Sequence, residues 1–159
     1  SLGATLAFEQ SYGKVDGDSA TLAEAIALLS DLSGLHCRQD IGVTGAVGQR
    51  GELLPVGSIN LKVAGWWQTC KATGLTGRQG VFLPSWTADA LHLPLEVKGD
   101  VSGGRFHLWA GDRIQQALEL CLGRPADARS KEGAYPRGSV YELAAGRLQA
   151  MAERLNPRR

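Results

Sequence analysis

The chain has 159 residues, 43% hydrophobic and 21% charged, which is the make-up of one ordinary globular domain rather than of a disordered segment. Seventeen Lys plus Arg against sixteen Asp plus Glu leave a net charge of +1, and that balance argues against a dedicated nucleic-acid binder with its basic surplus. No apolar run approaches the roughly 20 residues that cross a bilayer, and the opening Ser1-Leu2-Gly3-Ala4 has neither a signal-peptide pattern nor an initiator Met, as expected of a processed or excised chain.

In chain order, residues 4–12 roughly alternate and carry aromatics, which predicts a strand. Residues 13–18 hold two glycines and two aspartates and predict a loop. From Ser19 the pattern changes: Leu22, Ala25, Ile26, Leu28, Leu29 and Leu32 recur at helical spacing, Asp18 or Ser19 is placed to cap the helix, and Gly34 stops it. Residues 40–47 predict a second strand, 48–51 a hairpin turn and 52–56 a short strand. A helix is expected over 58–73, ending at Gly74, then a short apolar strand at 81–83 stopped by Pro84 and a weak helix at 86–93. Residues 105–110 alternate as a strand, and Asp112 opens a helix with Ile114, Ala117, Leu118, Leu120 and Cys121 on its inner face, closed by Gly123. The Gly-, Pro-, Arg- and Lys-rich stretch 123–138 reads as a loop, and Ser139 with Glu142 forms a capping-box signature for a last helix to about Leu155. Strands alternating with helices define an α/β (α+β) domain, with helices packed on a mixed sheet. The expected division is residues 1–123 as the domain, 124–138 as a linker and 139–159 as a helical extension.

Cys37, Cys70 and Cys121 are odd in number and widely spaced, which suits free thiols in a reducing compartment. His36, His92 and His107 are scattered, so no metal-ligand spacing and no Ser-His order is visible. The four tryptophans, Trp66, Trp67, Trp86 and Trp109, are expected in the core or at interfaces.

Three residues offer chemistry. Ser19 follows Asp16-Gly17-Asp18 and sits at a helix mouth, where outward-pointing N–H groups could stabilise an oxyanion. Taken alone it is nine times in ten a helix cap, a frequent role for serine there. Lys62 lies three after Ile59 and four before Trp66, beside the apolar face that includes Val63 and Cys70. Alone, it favours snorkelling to water over a desolvated, proton-accepting amine. Thr44, in Val43-Thr44-Gly45, is either a plain strand former or a hydroxyl that orients a nearby amine.

Together these segments resemble the proteolytic domain of the Lon family of ATP-dependent proteases. The resemblance is to the branch whose nucleophile motif reads Glu-Gly-Asp-Ser-Ala-Ser, here Asp16-Gly17-Asp18-Ser19-Ala20-Thr21 after Phe8-Glu9-Gln10-Ser11-Tyr12. Thr44-Gly45 matches the family's Thr-Gly strand, and Arg50-Gly51-Glu52-Leu53-Leu54-Pro55-Val56-Gly57 its Arg-Gly-x-x-x-Pro-x-Gly hairpin. The family's Gly-Gly-x-x-x-Lys appears as Gly57-Ser58-Ile59-Asn60-Leu61-Lys62, and the Ser19-to-Lys62 spacing agrees with the family's dyad. Two positions depart from the family pattern: Ser58 replaces the second Gly, and Asn60-Leu61 precede the Lys.

The resemblance covers about residues 4–122. It implies a serine endopeptidase in which Ser19 is the nucleophile, Lys62 the general base and Thr44 the group that positions Lys62, with Asp16, Asp18 and Gly57 in support. Asp18 either caps the helix or pairs with Lys62 in a resting state. The resemblance further implies unfolded polypeptide substrates, a hexameric ring, a cytoplasmic location, no cofactor or metal in this chain, and an ATPase module in the same or a partner chain. No phosphate-binding Gly-x-x-x-x-Gly-Lys-Ser/Thr loop is present in the sequence. Family domains also carry strands upstream of Phe8, so the expectation is either a second polypeptide or a shortened form with an uncovered strand edge. The alternative is a non-catalytic domain of the same fold, serving oligomerisation or peptide binding. A small-molecule enzyme would need a Gly-rich loop opening a helix, and Ser102-Gly103-Gly104 precedes a strand instead.

Overall fold

The computed structural model describes residues 3–8, 17–127, 129–130 and 133–155. Its centre is β4, Gly80–Pro84, whose five residues are all buried. Side chains of a strand alternate between faces, so Val81 and Leu83 enter one apolar cluster while Phe82 enters the other. A strand covered on both sides has to be apolar throughout, the pattern of a parallel sheet buried between helices. Two parallel neighbours complete that sheet: β1, Ile41–Val43, with Ile41 opposite Gly80, and β5, His107–Gly111, with Gly80 opposite His107. The outer edge of β1 carries no strand among the described residues.

Helices cover both faces. On the Phe82 side lie α1, Thr21–Ser33, and α4, Ile114–Leu122, with α5, Val140–Leu155, packed on α1. On the Val81–Leu83 side lie α2, Ile59–Thr73, and α3, Leu95–Ser102, joined through Val63, Trp67, Val97 and Phe106. A small antiparallel hairpin of β2, Ala46–Val47, and β3, Leu53–Leu54, sits at the end of the sheet. Its turn is closed by Gly48 N–H donating to the Glu52 carbonyl at 2.8 Å, and Leu53 N–H ties it to the Asp112 carbonyl at 2.8 Å.

The α/β class holds, with several local differences. Residues 4–8 are exposed coil rather than strand, and the rest of that expected strand, 9–12, lies outside the described residues. The expected strand 40–47 divides at Thr44-Gly45. Thr44 N–H still reaches the Phe82 carbonyl (3.1 Å), but Gly45 N–H turns to the Ser19 carbonyl (3.0 Å), so β2 continues in a different sheet. Strand β4 includes Pro84, which sits at its end where a missing N–H costs least. The weak helix at 86–93 is a short 3-10 segment, Ser85–Ala90, followed by α3, which the sequence did not announce. Neither Asp18 nor Ser19 caps α1. Ala20 holds the cap position without a side-chain bond, and the Asp18 carbonyl takes Thr21 N–H at 3.0 Å. At α5 the box forms with a shift: Ser139 Oγ accepts Glu142 N–H (3.2 Å), while Glu142 Oε2 accepts Gly138 N–H (2.7 Å). Trp67 is core, Trp66 and Trp109 are half-buried, and Trp86 is exposed.

Candidate active site

The site is built where β1 ends. Gly45 N–H donates to the Ser19 carbonyl at 3.0 Å and Leu22 N–H donates to the Gly45 carbonyl at 3.1 Å. This reciprocal clamp pins the start of α1 to the exit of β1, so residues distant in sequence become neighbours. Thr44 is buried at the same turn, and its hydroxyl donates to the Ser19 carbonyl at 3.5 Å. From the other side of β1 comes α2. Ile59 and Val63 anchor it in the core, which points Lys62, one turn in, along the edge of that core. The Lys62 ammonium donates to Thr44 Oγ1 at 3.4 Å.

One turn further, Trp66 donates its indole N–H to the Gly80 carbonyl at 2.9 Å. Its ring lies over Gly42 so closely that a Cβ there would meet ring atoms at 3.0 Å, which is why β1 carries glycine at this point. Between α1, β1 and α2 these groups enclose an open cavity of about 320 Å³. Ser19, Thr44 and Lys62 supply its polar end, while Ala20, Ala23, Val43, Trp66 and Val81 supply apolar walls. Ser19 and Lys62 are both half-buried.

The other residues singled out by sequence lie elsewhere. Asp16 is outside the described residues. Asp18 is exposed, does not line the cavity, and among the described residues no ion pair joins it to Lys62. Gly57 is exposed and its backbone needs no special conformation. The left-handed residue at the entry to α2 is Ser58, at φ 57°. The expected row of free N–H groups at the start of α1 is partly taken, since Thr21 and Leu22 donate to the Asp18 and Gly45 carbonyls. His36, His92 and His107 do not line the cavity, and among the described residues no group of three His, Cys, Asp or Glu is placed to ligate a metal. Of the wall expected around Lys62, Trp66 lines the cavity while Ile59 and Val63 do not, and Gly42 was missed as a site residue. Its signal was a glycine inside a strand.

In this parallel-sheet α/β domain a hydroxyl and an amine thus share the polar end of an apolar cavity. Residues 11–122 match the model of the Lon protease (S16) C-terminal proteolytic domain, and the chain belongs to that family. It is 39% identical over 150 residues to a protein of Haemophilus influenzae named as a Lon protease homolog, covering 94% of this chain and 25% of that protein. A protein of the same name from Escherichia coli is 46% identical over 121 residues, 75% of this chain and 20% of that protein. An archaeal Lon protease of Thermococcus kodakarensis is 43% identical over 115 residues, 72% and 16% of the two chains. The chain thus spans a quarter or less of the length of these relatives. Among the described residues no helix is long and apolar enough to cross a membrane.

Proposed function

We propose that this domain is a serine endopeptidase in which Ser19 attacks the scissile carbonyl and Lys62 takes the hydroxyl proton. The observation that carries the reading is the 3.4 Å bond from the Lys62 amine to Thr44 Oγ1, inside a cavity that Ser19 also lines. A serine hydroxyl is a weak nucleophile until a base removes its proton. A lysine serves as that base only while neutral, a state that an apolar wall favours and bulk water does not. Val43, Trp66 and Val81 line the cavity beside Lys62. Thr44, buried and fixed by its own backbone bond to Phe82, gives the amine a stationary partner, so that the lone pair is aimed rather than rotating freely. Asp18 is exposed and, among the described residues, makes no ion pair with Lys62.

Substrate lies extended along the outer edge of β1 beside Gly42 and Val43, the edge opposite β4 that carries no strand among the described residues. That mode recognises main chain more than side chain, which suits unfolded polypeptides. The ATPase module, a hexameric ring and a reducing, cytoplasmic setting complete the reading by analogy with Lon proteases.

The test is hydrolysis of a fluorogenic peptide and of casein between about pH 7 and 10. Ser19→Ala and Lys62→Met each lower kcat at least ~1,000-fold, and Ser19→Ala abolishes labelling by a peptidyl phosphonate. Thr44→Val lowers kcat with little change in KM. A well-folded wild-type protein that neither hydrolyses nor labels would favour a non-catalytic assembly module instead.

A further inference from the structure

Behind the wall formed by Gly42 and Trp66 lies a second cavity of about 320 Å³, and two of the three cysteines line it. Cys37 sits half-buried on the segment between α1 and β1, while Cys121 is 1% exposed in the last turn of α4. The Cys37 thiol donates to the Arg38 carbonyl at 3.6 Å, and the neighbouring Cys121 thiol acts on its electrostatics. The backbone locks the same approach, because Arg38 N–H donates to the Cys121 carbonyl at 2.9 Å. With one bonded N and one carbonyl between them, the two Cα atoms lie no more than ~7.7 Å apart. Disulfides join Cα atoms about 4.4–6.8 Å apart, so bridging asks for a small adjustment and no rearrangement. Cys70 is buried on the opposite face of the sheet, in the other apolar cluster, and is no partner for either.

We infer that Cys37 and Cys121 form an oxidisable dithiol, a modification site at which a peroxide converts two free thiols into a reversible disulfide. The roles follow from exposure and charge. The Cys121 thiol hydrogen-bonds the Cys37 thiolate and lowers the Cys37 pKa to about 7 against the opposing effect of burial. The Cys121 pKa is pushed up by the same bond and by its own burial. Cys37 therefore attacks first. Its sulfur bonds to one peroxide oxygen, the O–O bond breaks, hydroxide leaves and takes up a proton as water, and Cys37 becomes a sulfenic acid. Cys121 then attacks the Cys37 sulfur. The S–S bond forms, the S–O bond breaks, and the departing hydroxyl leaves as water with the Cys121 proton. The two thiols lose two electrons, which the peroxide gains.

The bridge would fasten the approach to β1 onto α4. The cavity around the sulfurs shares Ala23, Gly42, Val43 and Trp66 with the cavity that holds Ser19 and Lys62. Oxidation thus stiffens the wall between them. The dithiol chemistry itself does not depend on the peptidase reading.

The test is peptide mapping of the protein after treatment with hydrogen peroxide and capping with iodoacetamide. The expected result is a peptide pair linked through Cys37 and Cys121, released by dithiothreitol and absent in Cys37→Ser, with Cys70 unlinked. In the reduced protein at pH 7, iodoacetamide reaches Cys37 about tenfold faster than Cys70, following thiolate content. Cys121→Ser leaves Cys37 as a sulfenic acid that dimedone captures. Should that buried substitution prevent folding, Cys37→Ser alone decides. A Cys37 that stays unreacted, that passes to sulfinic acid without linking, or a link made through Cys70 would overturn the assignment. A domain that forms the link but cleaves no peptide would sink only the peptidase reading.

Discussion

Asp100 is a buried, bonded side chain that the sequence did not single out. Buried at the end of α3, its carboxylate accepts the Trp67 indole N–H at 2.8 Å and Arg105 Nε at 2.7 Å, while its carbonyl accepts the Arg105 and Phe106 N–H groups. The Trp67 bond, then Arg105, holds its carboxyl below the usual aspartate range. A group whose folded pKa is depressed adds stability above its unfolded value, and that stability is lost as pH falls through the folded one. The urea midpoint of the wild type should therefore drop on acidification below the ordinary carboxylate range. Asp100→Asn should be less stable near neutral pH and should flatten that acid limb, and urea titrations at stepped pH measure both. No spacing rule marks Asp100, because its partners lie 33 residues back and five ahead and meet only when α2 packs on α3. Ser19, Thr44 and Lys62 were readable for the opposite reason: their neighbours in sequence form motifs. Trp66 was readable as part of an apolar wall around Lys62, but its seat against β1 was not, since that depends on the absent side chain of Gly42.

Elements were readable where one periodicity ruled. α1, α2, α4 and α5 start and stop within a residue or two of the expected places, because each has an apolar stripe and a glycine or capping signal at an end. α3 was missed since Val97 is its one deeply buried apolar residue and Gly99 interrupts it. The break at Thr44-Gly45 was hidden because partners, not propensity, decide where a strand leaves its sheet. α2 carries a local conflict at its entry. Ser58 holds a left-handed backbone, φ 57°, with no side-chain cap bond. A non-glycine residue there costs about 1–2 kcal/mol, and glycine gives part of that back through its looser unfolded chain. Ser58→Gly should stabilise the domain by ~0.5–1 kcal/mol and raise Tm by about 1–4 °C, as calorimetry would register. An unchanged or lower Tm would mean that the serine side chain contributes more than its backbone costs.

Among the described residues the apolar interior falls into two clusters, one on each face of the sheet centred on β4. Phe82 fills the cluster under α1 and α4, and its strand neighbours Val81 and Leu83 fill the other. Neither cluster survives displacement of β4, so the two faces should unfold together. Phe82→Ala should cost about 3–5 kcal/mol out of a total of roughly 5–15. Tryptophan fluorescence, dominated by α2 and β5, and far-UV circular dichroism should still trace one coincident transition in urea. Two separated transitions would mean the faces are independent units. This layering was implied by alternating strands and helices. The strand order β1-β4-β5 was not, because no single stretch of sequence states which strands pair.

That order has a consequence for how the domain is made. A ribosome delivers Ser19 early and Lys62 well after it, but β1 has no parallel partner until residue 84 has emerged. Until then the clamp at Gly45 has no sheet to rest on, and α2 has no surface to bury Val63 against. A nascent or truncated copy therefore carries Ser19 and Lys62 on an unassembled chain. On the peptidase reading proposed above, an unfinished copy therefore has no assembled site with which to cut.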